Sequence, residues 1–196
     1  MSDSATGRRA SHRRQTARRI NTCAQLLTEE RGLDGFSMDD LADAAGVSRR
    51  TLFNYFPGKD AAVLGDPLVL DPTLVTRFVA GGPTGRLVDD MAALIEPALA
   101  NEGFTRDEVA RARRVLAAEP RLMTAAHERF TDLGAQVVEL VATREGAHHD
   151  LARATIAIHV LAVLFDIALT TFITDPRREL PELFEDAISN ARSAFA

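Results

Sequence analysis

The sequence predicts an all-α protein, with a three-helix N-terminal unit followed by a longer helical body. Three observations carry that prediction. Apolar residues recur at intervals of three and four, as in Ile20, Cys23, Ala24 and Leu27, which fall along one helix face. No stretch alternates β-branched and polar residues as a half-buried strand would. Most of the 12 glycines and 8 prolines gather between the periodic stretches, where they act as boundaries.

Taken in order, residues 1–12 are small, polar and basic, and are expected as a disordered arm. A first helix is predicted over 13–31, ended by Gly32 and Gly35. Short helices follow over 38–45 and 49–56 with Gly46 between them. Pro57 and Gly58 then precede a fourth segment, 59–64. Pro67, Pro72 and the run Gly81-Gly82-Pro83 predict loop or broken helix. Further helices are predicted over 84–101, 106–118, 121–144, 151–174 and 181–195. Residues 13–60 thus form one domain and 61–196 a second. The stretch from Ala154 to Ile173 is the most apolar, but His159 and Asp166 interrupt it, so it predicts a buried helix and no membrane span.

Composition narrows the function. At 196 residues, 46% hydrophobic and 26% charged, the chain is an ordinary globular protein with room for a core. Its single cysteine, Cys23, excludes an internal disulfide and zinc-ligand spacing, which fits a reducing, cytoplasmic setting. No apolar run follows the basic N-terminus, so a secretory signal is not expected. The net charge of −5 is unevenly spread. Residues 1–60 carry ten Lys/Arg against eight Asp/Glu, and the other 136 carry 13 against 20. A basic, anion-seeking head on an acidic body follows, and the acidic body limits unspecific adhesion to nucleic acid.

The informative stretch runs from Phe36 to Phe56. Ser37 is a good N-cap, with Asp40 three residues on as in a capping box. Leu41 and Ala45 share a face, and Ala42 is small where two helices cross. Gly46 can adopt φ > 0 in a tight turn plugged by Val47. Ser48 caps the next helix, and Leu52 and Phe56 point inward. Arg49, Arg50, Phe53 and Asn54 are left on the outer face. An exposed helix with two arginines and an amide suits the major groove, where Arg pairs with guanine and Asn with adenine. Thr51 and Tyr55 flank the stripe with hydroxyls that can reach phosphates. Lys59 begins the fourth segment, where free N–H groups also favour phosphate.

In these residues the chain resembles the TetR family. Gly35-Phe36-Ser37, Asp40-Leu41-Ala42, Ala45-Gly46-Val47-Ser48 and Leu52-Phe53-Asn54-Tyr55-Phe56-Pro57-Gly58-Lys59 match its N-terminal signature over residues 13–65. The resemblance implies about nine helices. The first three would bind double-stranded DNA, and the rest would form a small-molecule pocket and a homodimer interface, with the last two helices pairing across the dimer. It also implies base contacts from Arg49, Arg50 and Thr51, and phosphate contacts from Ser37, Tyr55 and Lys59. Phe53 stands where the family usually has Tyr, so a hydroxyl is lost, although a ring can still pack on a thymine methyl. The basic residues Arg8, Arg9, Arg13, Arg14 and Arg18 suggest an arm for the minor groove or phosphates.

The body gives weaker signals. Met91, Ile95, Phe104, Met123, Phe130 and Phe165 are candidate linings for an effector pocket, with His127, His159 and Asp166 as its polar members. His159 and Asp166 lie two turns apart on one face of an apolar segment, where a buried polar group needs a partner. Ile156, Val160, Val163, Leu164, Ile167, Leu183, Phe184, Ile188 and Phe195 supply the expected dimer positions. The expected function is a transcriptional repressor released from a palindromic operator by a small lipophilic ligand. An activator, or a regulator without a ligand, is the alternative. No catalytic residue, metal or cofactor is expected. The chain has no Gly-x-Ser-x-Gly, P-loop or dinucleotide fingerprint, and His148-His149 beside Glu145 and Asp150 reads as a solvated turn.

Overall fold

The computed structural model describes residues 3–101, 105–146 and 150–195, and among them all regular structure is helical. The helices are α1 (Asp3–Arg31), α2 (Met38–Ala44), α3 (Arg49–Tyr55), α4 (Lys59–Leu64), α5 (Pro72–Val79), α6 (Leu87–Asn101), α7 (Arg106–Ala118), α8 (Pro120–Glu145), α9 (Leu151–Thr174) and α10 (Leu180–Phe195). They divide into two compact units. One comprises residues 1–67 with 110–128, the other 68–109 with 129–196.

The first unit is built on α1, which buries Ile20, Ala24 and Leu27 against Leu41, Leu52, Phe56 and Val63. Polar side chains on the same helix hold α4. The Asn21 amide donates to the carbonyls of Ala62 (2.8 Å) and Val63 (2.7 Å), and Gln25 donates to Val63 (3.2 Å). Carbonyls at the end of a six-residue helix have no partners within it, so these bonds anchor α4 to α1. Gly35 is required where α1 turns, because a Cβ there would sit 2.0 Å from the Arg31 carbonyl oxygen. Residues 110–128 complete the unit. Val115 and Leu122 join its core, and Glu119 accepts the Leu33 N–H at 2.8 Å. Arg121 makes a two-pronged contact with Asp60, one bond at 2.8 Å, and Arg114 reaches Glu29 at 2.8 Å.

In the second unit α9 lies along α10, and both pack on α6. α9 buries Ala154, Ala157, Leu161, Leu164, Ala168 and Phe172, a stripe at intervals of three and four. α10 answers with Leu183, Phe184 and Ile188, and Phe165 meets Phe184 edge-on at 5.8 Å. The opposite side of α9 leaves Ile156, Val160, Val163 and Ile167 42–63% exposed. Among the described residues α9 is the one helix long and apolar enough to cross a membrane, and its buried stripe is packed into this core.

Some sequence expectations change here. Residues 3–12, expected as a disordered arm, are the opening turns of α1, which runs unbroken from Asp3 through Gly7 to Arg31. α5 occupies a segment expected as loop or broken helix. Asp71 caps it by accepting the N–H groups of Thr73 and Leu74, and Pro72 takes the first position, where a missing N–H costs nothing. Of the expected dimer positions, Leu164, Leu183, Phe184 and Ile188 are buried within their own unit. The Phe195 side chain, Phe104 and His148-His149 lie outside the described residues, as do the side chains of Arg8 and Arg9.

Candidate nucleic-acid interface

The helix-turn-helix is fixed from below by its caps. Ser37 precedes α2 in extended backbone. Its hydroxyl accepts the Asp40 N–H at 3.1 Å, and Asp40 accepts the Ser37 N–H at 2.7 Å, so both halves of the capping box are present. The Ser37 hydroxyl and backbone hold the Asp40 carboxyl below its ordinary pKa. α2 buries Leu41 and Ala42. Gly46, at φ 60°, then turns the chain so that Val47 N–H reaches the Ala42 carbonyl at 3.0 Å. No atom lies within 4 Å of where a Cβ would stand, so glycine is needed for its backbone angle and not for space.

Ser48 caps α3 by accepting the Thr51 N–H at 3.1 Å, and the two hydroxyls lie 2.8 Å apart. Leu52 is fully buried and Phe56 nearly so, which locks the helix to the core through one side. The other side carries Arg49, Arg50, Phe53 and Asn54, all exposed. The Arg49 guanidinium donates to Asp39 at 2.9 Å and lies 5.7 Å from the Phe53 ring. Arg50 and Asn54 have no side-chain partner among the described residues, so their donors are free.

Two neighbours modify this surface in ways the sequence did not signal. Arg13 on α1 places its guanidinium 5.1 Å from the half-buried Tyr55 ring, adding a cation beside α3. Lys59 is turned inward. It donates to the Phe36 carbonyl at 2.9 Å, lies 5.1 Å from the Phe36 ring, and keeps 21% of its side chain exposed. Its ammonium thus ties α4 to the turn after α1.

The candidate pocket residues are scattered. Met91 is core, and Ile95 and Phe165 pack against that core. Met123 and His127 are exposed and belong to the first unit. His159 and Asp166 are exposed on α9 and not interior. His159 shares a hydrogen bond with the Thr155 carbonyl at 2.8 Å and meets Phe130 edge-on at 5.8 Å. Of the eight that are described, none lines the cavity of about 600 Å³ in the second unit, which is bounded instead by arginines and the start of α6.

Comparison with known proteins agrees with this geometry. The family model described as bacterial regulatory proteins of the tetR family matches residues 24–64, and that of the MftR C-terminal domain matches residues 89–196. The regulator EthR of Mycobacterium tuberculosis is 39% identical over 66 residues, 33% of this chain and 31% of that protein. The M. tuberculosis protein named as mycofactocin biosynthesis transcriptional regulator MftR is 42% identical over 64 residues, again 33% and 31%. The match thus spans about a third of the curated relatives' length. A crystal structure of a TetR-family transcriptional regulator from Mesorhizobium loti aligns over 91% of this chain and 94% of its own, with TM-score 0.51 and 20% identity, a likeness of fold. With one model on its capped helix-turn-helix and the other on more than half of its length, the chain belongs to the tetR family of bacterial regulatory proteins.

Proposed function

We propose that the protein is a sequence-specific transcriptional repressor that binds a palindromic operator as a homodimer and leaves it when a small lipophilic ligand enters the second unit. The observation that carries this reading is the outer face of α3. Arg50 and Asn54 stand there with free donors beside Arg49, on a helix held rigidly by Leu52 and Phe56. Such a face offers base-edge contacts in the major groove. Thr51 and Tyr55 flank it with hydroxyls, and Arg13 adds charge for the backbone.

Support for a dimer comes from α9. Ile156, Val160, Val163 and Ile167 recur at spacings of four, three and four on its exposed side, the pattern of a helix seam. A two-fold pair would set two heads into half-sites about 34–36 Å apart. A ligand would act only through its different affinities for the DNA-fitting and non-fitting arrangements.

The test is binding of the full chain to labelled intergenic DNA from its own locus and to a genomic fragment pool, at two salt concentrations. Tight, salt-sensitive binding that Arg50→Ala loses is the expected result. A folded dimer that selects no fragment from the pool would overturn the reading.

A further inference from the structure

The cavity of the second unit is lined by four arginines from four separate places: Arg86 just before α6, Arg144 in the last turn of α8, Arg153 in the first turn of α9 and Arg192 in the last turn of α10. Guanidiniums repel one another, so gathering four of them from across a fold requires counter-charge. The protein supplies three acids. Asp90, fully buried, is taken by Arg144. Asp89, its side chain 10% exposed, is shared by Arg86 and Arg192. Glu145 lines the cavity with no partner among the described residues, and Arg153 likewise has none. Even if Glu145 is set against Arg153, the lining together with Asp90 keeps one positive charge in excess, while Asp150 caps α9 through the Ala152 and Arg153 backbone N–H groups and does not line the cavity. That excess sits in an acidic chain of net charge −5, so it does not reflect a generally basic surface. Leu87 and Val88 add apolar wall.

We propose that this cavity binds an organic monoanion, a carboxylate on an apolar body. The carboxylate lies among Arg86, Arg153 and Arg192, and the body lies against Leu87 and Val88. The guanidinium fork matches a carboxylate in two parallel bonds, which a lone ammonium cannot do. A volume of about 600 Å³ falls in the range of small-molecule sites. The regulatory meaning, that this anion is the effector, rests on the function proposed above. The binding itself does not.

The experiment is calorimetric titration of the full chain with octanoate, octan-1-ol and inorganic phosphate, for wild type and Arg153→Ala. Arg153 is exposed and unpartnered, so the variant is expected to keep its melting temperature. Octanoate is expected to bind one per chain, at least about tenfold more tightly than either the alcohol or phosphate. Arg153→Ala is expected to weaken it about tenfold or more. No octanoate binding, equal binding by the variant, or equal binding of the alcohol or phosphate would each overturn the proposal. The same preparations are tested on the DNA pool. Octanoate binding without DNA selection overturns only the repressor reading, and DNA selection without octanoate binding overturns only the cavity.

Discussion

Arg144 Nη2 and Asp90 Oδ2 meet at 2.7 Å with 8% and 0% of their side chains exposed. Around them, Arg144 donates to the carbonyls of Phe78 (3.2 Å) and Gly81 (3.4 Å), and its guanidinium lies 4.8 Å from the Phe78 ring. Asp90 accepts the N–H and hydroxyl of Thr84, both at 2.7 Å, and the Gly85 N–H at 3.1 Å. One ion pair therefore fastens residues 78–85 to both α6 and α8. Removing a single partner strands the other charge in the interior. Arg144→Ala is expected to cost about 3–5 kcal/mol in urea unfolding. A loss below about 1 kcal/mol would mean that water reaches the stranded carboxylate.

The same pair sets a pH dependence. Burial pushes the Asp90 carboxyl up, but the hydrogen bonds from Thr84 and Arg144 outweigh it and hold the pKa below the ordinary value. Unfolded Asp titrates at about 3.9. A carboxyl with a lower folded pKa stabilises the protein above that value, and the contribution is lost as pH falls through the folded pKa. Below about pH 4 the wild type should lose stability more steeply than Asp90→Asn. Parallel melting curves for the two proteins across that range would refute the assignment.

On the proposed DNA face, the Arg49–Asp39 contact separates two arginines of identical chemistry. Arg50 is free, whereas Arg49 must give up Asp39 before it can pair elsewhere. Arg50→Ala is expected to reduce discrimination between operator and competitor by about 1–3 kcal/mol. Asp39→Ala releases Arg49 and removes a negative charge, so unspecific affinity should rise and the slope of log K against log salt should steepen by about one unit. A shallower slope in gel-shift titrations would show that Asp39 positions Arg49 and does not restrain it.

Adjacent residues of α9 should behave as opposites. Val163 is 59% exposed and Leu164 is 9% exposed. If the proposed dimer forms through this face, Val163→Glu is expected to give a folded monomer by light scattering at concentrations where the wild type dimerises. Leu164→Ala is expected to keep the dimer and lose about 2–5 kcal/mol of stability. A dimeric Val163→Glu would move the interface off this face.

Two glycines offer a further contrast. Gly35→Ala drives a methyl group into the Arg31 carbonyl at 2.0 Å, while Gly46→Ala meets open space and pays only for its φ of 60°. The first should unfold the head or shift the end of α1. The second should cost about 1–2 kcal/mol by thermal denaturation. Equal losses would mean that the backbone at Gly35 relaxes freely.

The helix-turn-helix was legible because its signals are local. Ser37, Gly46 and Ser48 each act on backbone within three residues, so their spacing alone dictates the bends. α5 is hidden in the sequence because proline usually breaks a helix, although Asp71 before it turns Pro72 into a first helical residue. α9 is apolar nearly all round, so periodicity could not decide which face turns inward. For that reason the sequence alone does not separate Leu164 from Val163, or show that His159 and Asp166 face outward. The arginine-lined cavity had no local signature at all. Arg86, Arg144, Arg153 and Arg192 look like ordinary surface residues until the chain brings them together.

Residues 110–128 carry one more consequence. Leu122 is as deeply interred as any residue of the head, Val115 nearly so, and Glu119 holds the Leu33 amide. The head is therefore not a portable cassette. A chimera that transplants residues 1–67 onto a foreign sensor would carry an open wound where those side chains belong. A swap from this chain would have to carry residues 110–128 along with the helices they complete.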